Sequence, residues 1–257
     1  MTLAAQVGHI ARRSVVRTIR QPANAIPPLI FPMALLAVTS AGLDPATEIP
    51  GFPSDSFLAF FLAFPFIQGA LFATMNAGTD LARDIQSGFL NRLALTPMRG
   101  AALIAGQLGG IALMGVVQAV VYLAVGLAAG VRLESGVAGA FVLLGLAALI
   151  ALSFGAVGAF FALRTGSGEA VQGLFPLLFV GLFLSSMNLP RNLIETDWFR
   201  HVATLNPISY LIEGVRSLII VGWDGQALVL AFGFAVLILV CSLAAATWAM
   251  RLRLTRT

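Results

Sequence analysis

The sequence predicts an all-α polytopic membrane protein, and three observations lead to that class. Of the 257 residues, 59% are hydrophobic and only 10% are charged, whereas soluble domains have about 45–50% and about 25%. The mean hydropathy is +0.95. Several stretches are also long and apolar enough to cross a hydrocarbon layer, which takes about 20 residues. A soluble enzyme is excluded because its surface requires more polar side chains than this chain has.

Six stretches are predicted to span the membrane, with both chain termini on the cytoplasmic side. The first is rich in proline, so its helix is expected to begin or kink at Pro27–Pro28. None of the six contains Asp, Glu, His or Arg, whereas ion-coupled transporters commonly carry ionisable groups at that depth. The predicted spans are Ala25–Ala41, Phe57–Ala77, Ala101–Val131, Val137–Leu163, Ala170–Met187 and Ala227–Met250.

The orientation follows from the arginines. All 15 basic residues are arginine, and a cytoplasmic N-terminus places most of them inside, as membrane proteins prefer. The net charge of +4 is too small for strong electrostatic binding to the phosphates of a nucleic acid, so we predict no nucleic-acid partner.

The absence of lysine excludes one chemistry outright. A phosphate-binding P-loop requires a lysine, so the chain cannot hydrolyse ATP through a P-loop of its own. The single cysteine, Cys241, and the two histidines form no metal-ligand pattern. We therefore predict no catalytic, cofactor-binding or metal site on this chain.

Two segments outside the spans are predicted to form helices. Residues 2–20 place apolar side chains on one arc and arginines on the opposite arc, which predicts a helix on the inner membrane surface. A solvated basic N-terminus remains the alternative. The apolar segment Ile208–Val221 is too short to span and contains Glu213 and Arg216, which favours an external re-entrant or surface-lying helix in which these two residues pair.

The link after the second predicted span is charged. Asp80, Arg83 and Asp84 share one face of a helix, and Pro97 ends the regular pattern. Such a helix is either a solvated connector or a docking element for a cytoplasmic partner.

Two ordered motifs resemble the permeases of ABC type-2 transporters, the daunorubicin-resistance-like exporter subunits. The link carries Asp84, Gly88-Phe89-Leu90, Arg92-Leu93 and Thr96-Pro97. The segment before the last span carries Trp198, Leu205-Asn206-Pro207-Ile208-Ser209-Tyr210, Glu213 and Arg216. With the six predicted spans and the basic N-terminal helix, the resemblance covers nearly the whole chain of 257 residues.

The resemblance implies a single transmembrane domain over residues 1–257 in a prokaryotic plasma membrane. It implies pairing with a second copy or a sister permease, and two separate ATPase subunits that bind ATP and magnesium. Residues 2–20 match the family's interfacial helix, 79–95 its coupling helix and 188–224 its external re-entrant segment. The implied coupling residues are Asp80, Arg83, Asp84, Gly88, Asn91 and Arg92, and the implied external residues are Asn206, Pro207, Tyr210, Glu213 and Arg216.

One position departs from the family's pattern. Asn91 stands where the motif often has a glutamate.

Only aromatic residues in the spans bear on the identity of the substrate. The resemblance implies export of a hydrophobic or amphipathic drug-like molecule or lipid, for which Phe64, Phe175, Phe179 and Phe183 are candidate path residues. Ordinary packing of these rings remains open. A secondary transporter without an ATPase and a non-transporting assembly protein are the alternative functions.

Overall fold

The computed structural model describes residues 3–20, 26–89 and 100–254, and no described residue lies in a β-strand. A π-helical turn, Ser217–Val221, continues α10. The α-helices are α1 Leu3–Arg20, α2 Ile26–Leu43, α3 Phe57–Phe61, α4 Ala63–Gln86, α5 Gly100–Ala128, α6 Gly136–Thr165, α7 Gly168–Gln172, α8 Phe175–Phe183, α9 Asp197–Leu205, α10 Pro207–Arg216 and α11 Gly225–Leu254.

Five helical segments in the described part of the chain are long and apolar enough to cross a membrane. They correspond to the first four predicted spans and to the last. The all-helical membrane class predicted from composition is therefore confirmed. The segments are Ile26–Glu48, Phe57–Gln86, Gly106–Ala128, Gly136–Thr165 and Gly225–Arg253.

The fifth predicted span differs from the prediction, because a turn divides it into two helices. Helix α7 ends at Gln172 and α8 begins at Phe175, with Gly173 and Leu174 between them. Pro176, in the first turn of α8, has no N–H to donate to the carbonyl of Gln172, as a continuous helix would require. The segment Gly168–Phe183 is shorter than the five spanning segments. A sixth pass through the membrane therefore remains a prediction.

Helix α4 lies at the centre of the helix assembly. In the most apolar 18-residue stretch of its segment, 83% of the residues are buried inside the protein, whereas the same share for the segment of α11 is 17%. Helix α4 is therefore surrounded by protein and α11 is not. Helix α6 packs along α4. The approach is close at Gly158, where an added Cβ would lie 2.0 Å from the carbonyl oxygen of Thr74. The Thr74 hydroxyl donates to the carbonyl of Phe154 at 2.9 Å.

Helix α1 packs against the first half of α5. A Cβ added at Gly106 would lie 2.5 Å from Cβ of Ile10, and one at Gly110 would lie 2.4 Å from the Ser14 hydroxyl oxygen. The apolar arc of α1 that the sequence predicted thus faces protein at these positions. Its location on the inner membrane surface remains a prediction.

The helix assembly has two chemically different ends. At one end, Arg253 donates to the carbonyl of Leu163 at 2.8 Å, and Gln86 donates to the carbonyl of Gly166 at 3.2 Å. These bonds join the ends of α4, α6 and α11, and we call this region, together with α1, the arginine-rich end. Helices α9 and α10 lie at the other end of the spans, which we call the distal end.

Candidate functional site

Asp84 joins three helices at the arginine-rich end. Its side chain is buried, with the residue only 4% exposed. Arg13 of α1 donates to both carboxylate oxygens, at 2.9 and 3.1 Å, which is the bidentate geometry that arginine forms with carboxylates. Arg17 donates at 3.4 Å, and the amide of Gln107 on α5 donates at 3.1 Å. The carboxylate of α4 therefore holds α1 and α5.

Within the chain Asp84 binds α1 and α5, and its expected contact with an ATPase stays a prediction. Its carboxylate oxygens face α1 and α5 and are occupied by donors of the same chain. Asp80 pairs with Arg17 at 2.9 Å and with Arg83 at 3.7 Å. The Arg83 side chain is 55% exposed, so among Asp80, Arg83 and Asp84 it is the most accessible to a partner protein.

The predicted coupling helix 79–95 is only partly described. Residues 79–86 are the last turns of α4, and Ser87 and Gly88 form a turn after it. Gly88 has a φ of +67°, a conformation that glycine adopts without steric cost. A single helix that begins at residue 79 is therefore not what the structure has, since the spanning helix itself continues to Gln86. Asn91 and Arg92 lie outside the described residues.

A small polar cavity borders the Asp84 cluster between α1, α4 and α5. Its volume is about 70 Å³, and its polar lining includes Asn76, Gln107 and Gln118 as well as the two aspartates. That volume can hold water but not a drug-sized molecule, whose sites measure roughly 300–1,000 Å³. The cavity is therefore not a candidate for the substrate site.

A larger groove opens between α2, α4 and the break between α7 and α8. Its volume is about 500 Å³, which lies within the range of small-molecule sites. Asn76, Thr79 and Gln172 supply uncharged polar groups, and Asp80 and Arg83 lie at its charged end. We call it the aromatic groove; its apolar wall consists of Pro27, Pro28, Phe72, Met75, Phe175 and Pro176.

A continuous series of ring contacts leads away from the aromatic groove. Phe72 contacts Phe31 at 6.3 Å and Phe175 at 5.3 Å between ring centroids. Along α8, Phe175 contacts Phe179 at 5.5 Å, and Phe179 contacts Phe183 at 5.0 Å. We call these five residues the phenylalanine ladder. The structure thus brings together three of the four phenylalanines proposed from sequence, and it adds Phe31 and Phe72.

Phe64 does not belong to the phenylalanine ladder. It is 2% exposed and stacks on Phe61 at 4.7 Å. Phe61 in turn stacks on Phe57, within the main apolar core. Phe64 therefore packs among the rings of the core, and its expected role in a substrate path stays a prediction.

Arg216 is a buried cation at the distal end. It donates to the carbonyls of Ser186 and Met187, both at 3.0 Å, and to the carbonyl of Phe60 at 3.2 Å. Its guanidinium lies 3.6 Å from the centre of the Phe60 ring, a cation–π contact. Ser186 and Met187 lie in the irregular chain after α8. Arg216 donates to their carbonyls and so ties α10 to α3 and to the chain after α8.

The expected pairing of Glu213 with Arg216 is wrong. Glu213 accepts from Arg191 at 2.6 and 2.8 Å, and the Arg191 guanidinium lies 4.5 Å from the centre of the Tyr210 ring. Burial lowers the pKa of Arg191, but the hydrogen bonds and charges of Glu213 and Tyr210 together outweigh burial and raise the pKa above its ordinary value. Sequence reasoning missed Arg191 because nothing local to residue 213 indicates a partner 22 positions away.

The Asn-Pro pair at residues 206 and 207 starts α10 and fixes its position. The Asn206 side-chain oxygen accepts from the amide of Ile208 at 2.9 Å, and Pro207 occupies the first turn, which is the usual chemistry of a helix N-terminus. The Asn206 amide also donates to the carbonyls of Gly181 and Leu184, at 2.6 and 3.1 Å. The distal segment is thus fastened to the end of α8, beside the last ring of the phenylalanine ladder. Tyr210 packs on Phe234 of α11.

These features lie on a chain whose residues 5–220 match the ABC-2 type transporter family. The chain belongs to that family. Its matched part includes α1, the Asp84 cluster, the aromatic groove and the distal segment, and the resemblance read from the two sequence motifs is confirmed. Membership, together with the apolar helices, indicates a multi-pass membrane protein.

One relative adds to the family match. The chain is 28% identical over 197 residues to the daunorubicin resistance ABC transporter permease protein DrrB1 of Streptomyces coeruleorubidus. The alignment covers 74% of this chain and 65% of that relative. Family and relative together support a membrane component of an ABC-2 type transporter.

Proposed function

We propose that this ABC-2 permease exports a hydrophobic or amphipathic drug-like molecule from a prokaryotic cytoplasm, with energy supplied by two separate ATPase subunits. The observation that carries the proposal is the continuity of the aromatic groove with the phenylalanine ladder. The groove offers about 500 Å³ at the arginine-rich end, and the ladder leads from Phe72 to Phe183 beside the distal segment.

The lining of the groove suits an amphipathic molecule. Rings and prolines supply most of its wall, and a few amide and hydroxyl groups provide orientation, as is usual for small-molecule sites. The relative's name refers to daunorubicin resistance, and daunorubicin is a flat polycyclic amphipath of this kind. A lipid substrate is the other member of the proposed class.

Coupling to the ATPase is assigned to the end of α4 and the segment after it. ATP and magnesium belong to the partner subunits, since this chain has no lysine for a P-loop. Arg83 is exposed there, and the adjacent Asp84 connects α4 to α1 and α5. A movement of this segment, caused by the ATPase, therefore moves three helices together. ATP shifts the equilibrium between the states of the pore only through contacts that differ between those states, and we place these contacts in this segment.

The proposal includes a second permease, either a copy of this chain or a sister, and both termini in the cytoplasm. The Asn206 and Arg216 contacts hold the distal segment over the far end of the path. In this arrangement that segment forms the exit side.

The experiment is reconstitution of the chain in liposomes with and without an ABC ATPase that copurifies with it. We expect ATP-dependent movement of daunorubicin that needs both proteins. Transport by the chain alone along an ion gradient would replace the proposal with a secondary transporter. Failure of any ATPase to copurify, together with absence of transport, would favour an assembly protein.

A further inference from the structure

Gln68 of α4 is fully buried, and neither its amide nitrogen nor its amide oxygen has a hydrogen-bond partner among the described residues. A buried amide without partners costs free energy, and native proteins contain few of them. An apolar side chain of similar size would avoid this cost. The position therefore calls for an explanation beyond packing.

The location of Gln68 relates it to the aromatic groove. It precedes Phe72 by four residues, so the two side chains lie on the same face of α4, with Gln68 one turn closer to the distal end. Phe72 lines the groove and contacts Phe31 and Phe175. Gln68 thus lies one turn beyond the layer of rings that ends the groove.

We propose that Gln68 determines substrate specificity by hydrogen bonding an uncharged carbonyl or hydroxyl group on a flat aromatic molecule as it passes the Phe72 layer. This proposal rests on the export function proposed above. A carboxamide both donates and accepts, so it suits quinone carbonyls and phenol hydroxyls alike.

The charges around the groove favour an uncharged polar group at this depth. Asp80 and Arg83 face each other at 3.7 Å and lie at the charged end of the groove, at least two turns from Phe72 along α4. The predicted span from Phe57 to Ala77 contains no ionisable side chain. Beyond Phe72, an aromatic molecule therefore meets the Gln68 amide and no formal charge of α4.

A substrate that hydrogen bonds to the Gln68 amide stabilises the conformation in which the rings around Phe72 have separated. With Phe72 in contact with Phe31 and Phe175, the Gln68 amide has no hydrogen-bond partner in the described part of the chain. When the rings separate around a bound molecule, the amide gains one. A ligand shifts a conformational equilibrium only through such a difference between states. Gln68 therefore favours the substrate-loaded arrangement over the closed one.

The test is ligand binding to the full-length chain in lipid nanodiscs with the probes daunorubicin, which carries quinone and hydroxyl groups, and diphenylhexatriene, an aromatic hydrocarbon without them. For Gln68→Leu we expect the Kd for daunorubicin to rise about tenfold, the effect of losing one hydrogen bond to a buried group. The Kd for diphenylhexatriene stays unchanged. The unfolding temperature of the ligand-free chain stays equal or rises, because leucine removes the unpartnered amide.

Gln118→Leu is the matched control. Gln118 is also a buried glutamine, but it lies on α5 and lines the small polar cavity, so its replacement leaves daunorubicin binding unchanged. An unchanged Kd for Gln68→Leu, or an equal loss with Gln118→Leu or for diphenylhexatriene, would overturn the proposal. Gln68→Met provides a second variant if the leucine variant does not fold.

These outcomes are separate from those that test export. Binding requires no ATP, so probe discrimination without ATP-driven transport would overturn the proposed function and leave the role of Gln68 in binding intact. A wild-type chain that does not bind daunorubicin would overturn the substrate class named here, while ATP-driven transport of a different molecule would leave the proposed function standing.

Discussion

Arg13 of the N-terminal helix and Asp84 of the central helix form a bidentate ion pair, although 71 positions separate them in the chain. The carboxylate is nearly inaccessible to solvent, while the guanidinium remains partly exposed. The pair therefore fastens α1 to α4 and leaves the outer face of Arg83 free for a partner.

Replacement of Asp84 by Asn is expected to loosen α1. The variant removes the charge that Arg13 and Arg17 share, and a broken pair with one buried partner costs about 1–3 kcal/mol after allowance for the exposed arginine. Thermal unfolding in detergent measures this loss. Arg83→Gln serves as the control: it removes the charge of an exposed side chain without placing a like charge beside Asp80, so it is expected to leave stability nearly unchanged and to reduce copurification of the ATPase. The opposite pattern would favour Asp84 as the docking residue.

Arg216 and Glu213 are expected to differ in how much stability each contributes. Arg216→Met leaves three carbonyls without their donor, at a cost of about 2–4 kcal/mol, whereas Glu213→Gln weakens a partly exposed pair worth about 1 kcal/mol or less. Double-mutant cycles measure the partnership directly. Glu213→Gln is expected to couple strongly with Arg191→Gln, its hydrogen-bonded partner, and only weakly with Arg216→Met, whose charge Glu213 attracts without a hydrogen bond. Strong coupling of residues 213 and 216 would contradict the observed contacts.

Phe179→Ala is expected to change which molecules the permease transports without loss of ATPase binding. The ring contacts both neighbours in the phenylalanine ladder, so its removal opens the proposed path. Relative efflux rates of several dyes measure the effect. Phe64→Ala is the comparison: as a core ring it is expected to cost about 3–5 kcal/mol of stability and to lower efflux of all dyes alike. Unchanged dye preference in Phe179→Ala would remove the ladder from the path.

Gly158→Ala is expected to destabilise the contact between α4 and α6. The added Cβ would lie 2.0 Å from a backbone oxygen of Thr74, which cannot move aside as a flexible side chain can, and overpacking of this kind costs about 1–3 kcal/mol. Gly145→Ala, in the same helix, meets nothing within 4 Å and is expected to be neutral or slightly stabilising. Equal unfolding temperatures for the two variants would contradict the close approach.

Particular residues show where sequence reasoning reached the candidate site and where it stopped. The three phenylalanines of α8 were recognisable because their spacing of four residues places them on one helical face. Phe31 and Phe72 were missed, since their contacts depend on how α2 and α4 pack. Gln68 was visible as one of several polar residues in the spans, but only the structure shows that its amide has no hydrogen-bond partner among residues 3–20, 26–89 and 100–254.

The sequence by itself determined the membrane class, five of the spanning segments, the apolar face of α1 and the family, because apolar length, helical period and ordered motifs are properties of neighbouring residues. Tertiary structure alone decided that Asp84 binds Arg13, that Glu213 binds Arg191 and that Phe64 packs in the core. The physical reason is that a charge or a ring interacts with whatever the packed helices bring within a few ångströms, and the partners of the two ion pairs lie 71 and 22 positions away in the chain.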